Sequence, residues 1–116
     1  MNGRDRQICE KLLAETEMLR RLTAGVSLEA FLQDERTARA VSMTLINIGE
    51  LVKNLTDEVK AAHAEIPWRA IAGMRDVTAH KYQALRKEDV YKTGPEDIPQ
   101  FERQLRTLMN HDPIGS

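Results

Sequence analysis

The chain has 116 residues and a formal net charge of −1, with 41% hydrophobic, 30% charged and only 4% aromatic residues. This length indicates one small domain, expected at residues 1–110 with a polar tail at 111–116. The near-neutral charge argues against a strongly basic surface that binds nucleic acid. The single cysteine, Cys9, excludes an internal disulfide, and without an apolar leader or membrane-length run the sequence predicts a cytoplasmic protein with no membrane contact.

Abundant Leu, Ala, Glu, Lys and Arg, together with the absence of strand-type runs, predict an all-α protein. The first helix is expected at about 5–24, because apolar residues recur there with helical spacing and Gly25 provides a stop. Ser27 is a suitable N-cap for a short helix at 28–32.

Asp34 is predicted to cap the longest helix, at about 35–63. Its apolar residues alternate four and three apart, as in a left-handed bundle: Val41, Leu45, Ile48, Val52, Leu55 and Val59. Beside this seam lies a polar row with similar spacing: Asn47, Glu50 and Asn54.

A further helix is predicted from Pro67 to about Tyr82, since proline suits a first helical turn. Asp97 is expected to cap the last helix, with Pro99 in its first turn. Short connections between these helices predict an up-down bundle of four to five helices.

The most informative stretch is 75–82, because it combines a permanent cation, a carboxylate, an imidazole and a phenol in eight residues. Arg75 can hold phosphate oxygens with two parallel hydrogen bonds, and His80 can exchange a proton near neutral pH. Asp76 and His80 are four residues apart and share a helix face, as do Arg75 and Tyr82. These groups suit cleavage or transfer at a phosphodiester.

Taken alone, an arginine and a histidine on one helix are usually surface residues. Arg75 and His80 are also five residues apart, which separates them by about 140° on an ideal helix. They meet only if the helix bends, if it ends early, or if a second chain contributes. The last option predicts a homodimer with its site at the two-fold seam.

The pattern of Arg75, His80 and Tyr82 resembles the signature of the HEPN superfamily, in particular the HepT-like toxins encoded beside a minimal nucleotidyltransferase antitoxin. Asp76 stands where relatives often have Asn. The resemblance extends from about residue 5 to 108 and includes these further segments: Ile48-Gly49-Glu50, Ile66-Pro67-Trp68, Ile71, Gly73-Met74, Glu88-Asp89-Val90-Tyr91 and Asp97-Ile98-Pro99.

The resemblance implies the toxin of a type VII-like toxin–antitoxin system, acting as a dimeric, metal-independent endoribonuclease. In that role His80 removes the proton of the RNA 2′-hydroxyl or protonates the leaving oxygen, and Arg75 stabilises the transition state. Asp76 orients His80. No cofactor is implied, and the sequence shows no histidine spacing typical of a metal site.

In the resembling family, the partner nucleotidyltransferase transfers AMP to the tyrosine that corresponds to Tyr82, which blocks the site. The structural alternative is that Tyr82 packs its ring and hydrogen-bonds a neighbour. Asn47 and Glu50 either line the same cleft or form a buried polar seam that sets the bundle register. Trp68 is expected in the core, and Cys9 as a small packed residue.

A second function class stays open: a noncatalytic helical subunit that binds substrate or nucleotide for a nucleotidyltransferase. The intact Arg75, His80 and Tyr82 favour the nuclease, whereas Asp76 and the near-neutral charge are compatible with the binding subunit. Two arginine pairs are interpreted as solvated faces that at best guide RNA: Arg20-Arg21 and Arg103 with Arg106.

Overall fold

The computed structural model describes residues 1–73 and 98–111, and every regular element in those two ranges is an α-helix. This confirms the predicted all-helical fold. A helix that we call α5 begins at residue 68 and is described as far as residue 73. The others are α1 (Gly3–Thr23), α2 (Leu28–Gln33), α3 (Glu35–Lys53), α4 (Asp57–Ala62) and α6 (Ile98–Asn110).

Local capping explains where the first two helices begin and end. The Asn2 side chain accepts a hydrogen bond of 2.7 Å from the backbone N–H of Asp5 and so caps α1. Gly25, with φ of 71°, takes the left-handed conformation just past α1, as the sequence predicted. Ser27 caps α2 by accepting a hydrogen bond of 3.1 Å from the Ala30 N–H.

Asp34 caps α3, which is also as predicted. Its carboxylate accepts the Thr37 hydroxyl at 2.6 Å and the Thr37 backbone N–H at 3.1 Å. The hydroxyl contact, followed by the backbone contact, holds the pKa of Asp34 below its usual value.

The single helix predicted at 35–63 is wrong, because the chain breaks between α3 and α4. Asn54 ends α3 by donating its side-chain amide to the Glu50 carbonyl at 2.9 Å. Thr56 then caps α4, with its hydroxyl accepting the Val59 N–H at 3.4 Å. Asn and Thr side chains compete for backbone groups in this way and so favour helix ends, although the apolar seam continues across the break.

A buried carboxylate holds this break against the start of α1. Asp5 is 1% exposed, and its two oxygens accept the Thr56 N–H at 3.1 Å and the Thr56 hydroxyl at 2.7 Å. The Arg4 guanidinium adds a hydrogen bond of 2.9 Å to the Asn54 carbonyl. Both contacts join residues about fifty positions apart, so they fix α1 antiparallel to α3.

α3 and α6 pack mainly on α1, on opposite flanks of its buried face. That face includes Cys9, at 0% exposure, which confirms the prediction of a packed cysteine. It also includes Thr16, whose hydroxyl is satisfied by the Leu13 carbonyl at 2.8 Å. The buried residues of α1 are Asp5, Ile8, Cys9, Leu12, Thr16 and Leu19.

α6 is tied to α1 by ion pairs that cross between the two helices. Arg106 donates to Glu102 on its own helix and to Glu17 on α1, both at 2.9 Å. These two carboxylates, Glu102 first, raise the pKa of Arg106. Pro99 lies in the first turn of α6 as predicted, whereas the predicted cap Asp97 lies outside the described residues.

We expect Asp5→Ala to lower the free energy of unfolding by about 2–3 kcal/mol, because it leaves the Thr56 N–H and hydroxyl without their buried acceptor. Urea denaturation measures this value. The exposed Glu10→Ala on the same helix is the control, and it is expected to change stability by no more than about 0.5 kcal/mol. Equal stability of the two variants would contradict the structural role of Asp5.

Candidate functional site

The predicted site residues fall into two groups. Arg75, Asp76, His80 and Tyr82 lie outside the described residues. The structure does place the helix start that leads to this motif, and it places Asn47 and Glu50 on α3.

The start of α5 is fixed by backbone and indole hydrogen bonds. The Pro67 carbonyl accepts the Ile71 N–H at 3.1 Å, so Pro67 is the N-cap and lies one residue before the helix rather than inside its first turn. The indole N–H of Trp68 donates to the His63 carbonyl at 3.0 Å. Trp68 is 7% exposed, which confirms that it belongs to the core.

The same segment packs against α6. The rings of Trp68 and Phe101 meet edge to face, with centroids 6.0 Å apart and an interplanar angle of 89°. Gln104 donates its side-chain amide to the Glu65 carbonyl at 3.4 Å. The described part of α5 is therefore anchored at its N-terminal end and stops two residues before Arg75.

Asn47 and Glu50 are half-buried and line an open depression between α1 and α3, with a volume of about 330 Å³. α1 contributes Lys11 and Glu15 to the lining. The sequence analysis did not identify these two residues, because they belong to no recognisable motif. Asn54, the third member of the polar row, is exposed at the helix end.

The burial of this polar row is clear, whereas a cleft shared with Arg75 and His80 stays a prediction. Among the described residues, the buried polar or charged side chains do not include Asn47 or Glu50. They are Asp5, Thr16, Ser42, Thr44 and Glu102. The Asn47–Glu50 edge therefore lines a surface depression and does not form a buried polar seam. Its charges are mixed, with two carboxylates and one ammonium group.

An apolar margin borders this depression. Met18 lies one helical turn beyond Ala14 on α1, and Met43 lies one turn before Asn47 on α3. Because the two helices run antiparallel, both methionines extend the same face away from the depression. Met18 is 46% exposed and Met43 is 56% exposed, so both methionines present apolar surface to solvent.

The described ranges, 1–73 and 98–111, contain no cluster of three His, Cys, Asp or Glu side chains with the geometry of a metal site. In the same two ranges, no helix is long and apolar enough to cross a membrane. His63 has its Nδ1 3.7 Å from a Glu65 carboxylate oxygen.

Comparison with known proteins identifies a family. Residues 12–108 match the model of the family described as "Ribonuclease HepT-like". The chain is 36% identical over 107 residues to a "Putative RNase" of Caldanaerobacter subterraneus subsp. tengcongensis, covering 92% of this chain and 96% of the relative. It is also 36% identical over 99 residues to the "Probable ribonuclease HepT" of Thermococcus cleftensis, covering 85% and 90%.

A "Putative RNase" of Methanocaldococcus jannaschii is 30% identical over 94 residues, covering 78% of each chain. No solved structure gives a significant match. The family match spans most of the described helices together with the segment that contains Arg75, His80 and Tyr82. The resemblance seen in the sequence is thus confirmed, and the chain belongs to the HepT-like ribonuclease family.

Proposed function

We propose that this single-domain protein is an endoribonuclease that cleaves RNA with Arg75 and His80. The observation that carries this proposal is the family match over residues 12–108, which includes both residues in an intact motif.

The proposed reaction uses the nucleophile that RNA itself carries. His80 removes the proton of the 2′-hydroxyl, whose oxygen attacks the adjacent phosphorus while the 5′-oxygen of the next nucleotide leaves with a proton. The products are a 2′,3′-cyclic phosphate and a free 5′-hydroxyl. Arg75 stabilises the charge on the phosphorus centre, and Asp76 orients His80. No step in this scheme requires a metal ion.

The proposed active unit is a homodimer. Since Arg75 and His80 point about 140° apart on one ideal helix, a second copy supplies the complementary acid or base across the seam. The exposed Met18 and Met43 support such an association, because burial of this apolar margin against a second copy removes it from water. Asn47 and Glu50 would then border the seam.

The proposed biological role is a cytoplasmic toxin with a nucleotidyltransferase antitoxin as its partner. Tyr82 is the proposed acceptor of AMP from that enzyme. Each added AMP brings a negative phosphate towards Arg75, and so it competes directly with RNA.

A second candidate function is a noncatalytic subunit that binds a substrate or nucleotide for the transferase. Asp76 beside the motif arginine and the near-neutral net charge of the chain are compatible with this function.

We expect His80→Ala and Arg75→Ala each to reduce RNA cleavage by on the order of 10²–10⁴-fold or more while the fold stays intact. Cleavage of a labelled RNA and growth after expression are the two measurements. His111→Ala and Arg36→Ala are matched controls, since both side chains are exposed and lie outside the motif. A chelator should leave wild-type cleavage unchanged.

Two outcomes would overturn the mechanism: normal cleavage by His80→Ala, or loss of wild-type cleavage in the chelator. A wild-type protein that binds RNA, cleaves none and leaves growth unaffected would favour the binding subunit instead.

We expect Met43→Asp to convert the dimer to a monomer and to abolish cleavage, because the substitution places a carboxylate in the apolar seam. Met43 is 56% exposed, so the isolated subunit should tolerate the charge and keep its helical circular dichroism. Sedimentation at micromolar concentration measures the mass. Met43→Leu is the control and should remain dimeric. A monomeric wild type, or a Met43→Asp dimer, argues against this seam.

We expect the cognate nucleotidyltransferase, with ATP and Mg²⁺, to add AMP to Tyr82 and to stop cleavage without unfolding the bundle. Tyr82→Phe keeps the ring and loses the acceptor oxygen, so it should retain nuclease activity and escape neutralisation. Intact-mass spectrometry reports the modification. An unchanged wild-type mass, or an AMP-sized gain that persists in Tyr82→Phe, would rule out this acceptor.

A further inference from the structure

Four exposed arginines lie on the adjacent helices α1 and α6. Arg20 and Arg21 belong to α1, and Arg103 and Arg106 belong to α6; we call these four residues the arginine band. The side chains of Arg20 and Arg106 are 59% and 47% exposed, and Arg21 and Arg103 are also exposed. Arg20 and Arg106 lie on the flank of α1 that faces α6, whereas the Asn47–Glu50 depression lies between α1 and α3.

A buried carboxylate sets the position of two of these guanidinium groups. The Glu102 side chain is 8% exposed, and its Oε2 lies 2.9 Å from Nη2 of Arg106 and 3.6 Å from Nη2 of Arg20. Nη2 of Arg106 also contacts Glu17 at 2.9 Å. The two guanidinium groups thus converge on a single oxygen atom, although they come from different helices.

The ion pairs between α1 and α6 account for the positions of Arg20 and Arg106, but not for those of the other two arginines. Arg21 and Arg103 form no ion pair with any residue in the described part of the chain, and Arg103 lines a shallow depression together with Glu65. Arg103 lies three residues before Arg106 and is its neighbour on the α6 surface. Arg21 lies four residues after Glu17 and is its neighbour on α1.

The charge of this surface differs from that of the whole chain. Four guanidinium groups against the carboxylates of Glu17, Glu65 and Glu102 leave this surface with a net charge of +1, on a chain whose net charge is −1. The side chains of Glu65 and Glu17 are 66% and 37% exposed, whereas that of Glu102 is 8% exposed. An anion that approaches from solvent therefore meets more guanidinium groups than carboxylates.

We propose that the arginine band binds the phosphate backbone of single-stranded RNA through residues outside the motif of Arg75 and His80; this inference rests on the proposed ribonuclease function. Guanidinium groups have planar, paired donors that match phosphate oxygens, and the buried Glu102 holds two of them in place before RNA arrives. The three aromatic residues of the described ranges are buried, so this surface offers no stacking platform for bases. Binding at the band is therefore independent of RNA sequence.

The test compares a long RNA with a dinucleotide. Arg21→Gln combined with Arg103→Gln removes two band charges that have no role in the α1–α6 ion pairs. Each lost phosphate contact should weaken the binding of a 30-nucleotide single-stranded RNA about fivefold at 0.1 M salt, and should reduce the slope of log K against log[salt] by about 0.7. Fluorescence anisotropy measures both quantities.

Cleavage assays with the two substrates distinguish a loss of RNA binding at the band from a loss of activity at the cleavage site. A dinucleotide has one phosphodiester, which occupies the cleavage site and leaves none for the band, so the double variant should cleave it with wild-type kcat/KM. For the long RNA, KM should rise while kcat stays constant. Glu17→Gln, which removes the competing carboxylate from Arg106, should tighten the binding of the long RNA.

Arg36→Gln is the matched control, because it removes one exposed arginine from α3, outside the band. If the double variant binds and cleaves the long RNA as this control does, the band does not contact RNA. Normal RNA binding combined with escape from the nucleotidyltransferase would overturn the inference in favour of a protein partner. A wild type that cleaves neither RNA would refute the proposed function instead, and anisotropy would still report whether the band binds RNA.

Discussion

The buried face of α1 is the feature on which the rest of the described fold depends. α3 lies on one flank of this face and α6 on the other, and each packs mainly on α1. Apolar burial on this face provides the stability, and polar contacts at its ends set the alignment. Asp5 fixes the end next to the α3–α4 turn, and Glu102 joins the other end of α1 to α6.

In the described part of the chain, α1 contributes to two separate flanks of the surface. The flank of α1 beside α3 carries Lys11 and Glu15, with the exposed Met18 at its margin. The flank beside α6 carries the arginine band. Because one rigid helix contributes to both flanks, its packing determines the distance between a candidate dimer seam and a candidate RNA-binding surface.

The sequence predicted the features that depend on local chemistry. Gly25, Ser27 and Asp34 act within four residues along the chain, and the structure confirms each of them. The break at Asn54 and Thr56 was missed, since the apolar seam runs across it and its stabilising partner, Asp5, is 51 residues away from Thr56. The spacing of apolar residues indicates which side of a helix is buried. It does not indicate which distant side chain forms hydrogen bonds with the backbone groups at a helix end.

The same distinction applies to the candidate site. The motif residues were found because they lie within eight positions and resemble a family signature, and the family is now confirmed. Lys11 and Glu15 were missed because α1 and α3 bring them beside Glu50 only in the folded chain. The arginines on α1 and α6 were interpreted as solvated faces, because their convergence on Glu102 depends on a contact between distant segments.

In a near-neutral protein that cleaves RNA, the residues that provide affinity for RNA can differ from the residues that raise the rate of cleavage. A site that attracts ground-state phosphate as strongly as the transition state lowers KM without raising kcat. One motif arginine is enough to stabilise the charge that develops at phosphorus, whereas many cations at the same point would chiefly hold substrate and product. In the proposed arrangement, additional guanidinium groups on the α1–α6 surface would increase encounter with RNA without adding charge to the motif of Arg75 and His80. A net charge of −1 is therefore compatible with RNA as the proposed substrate.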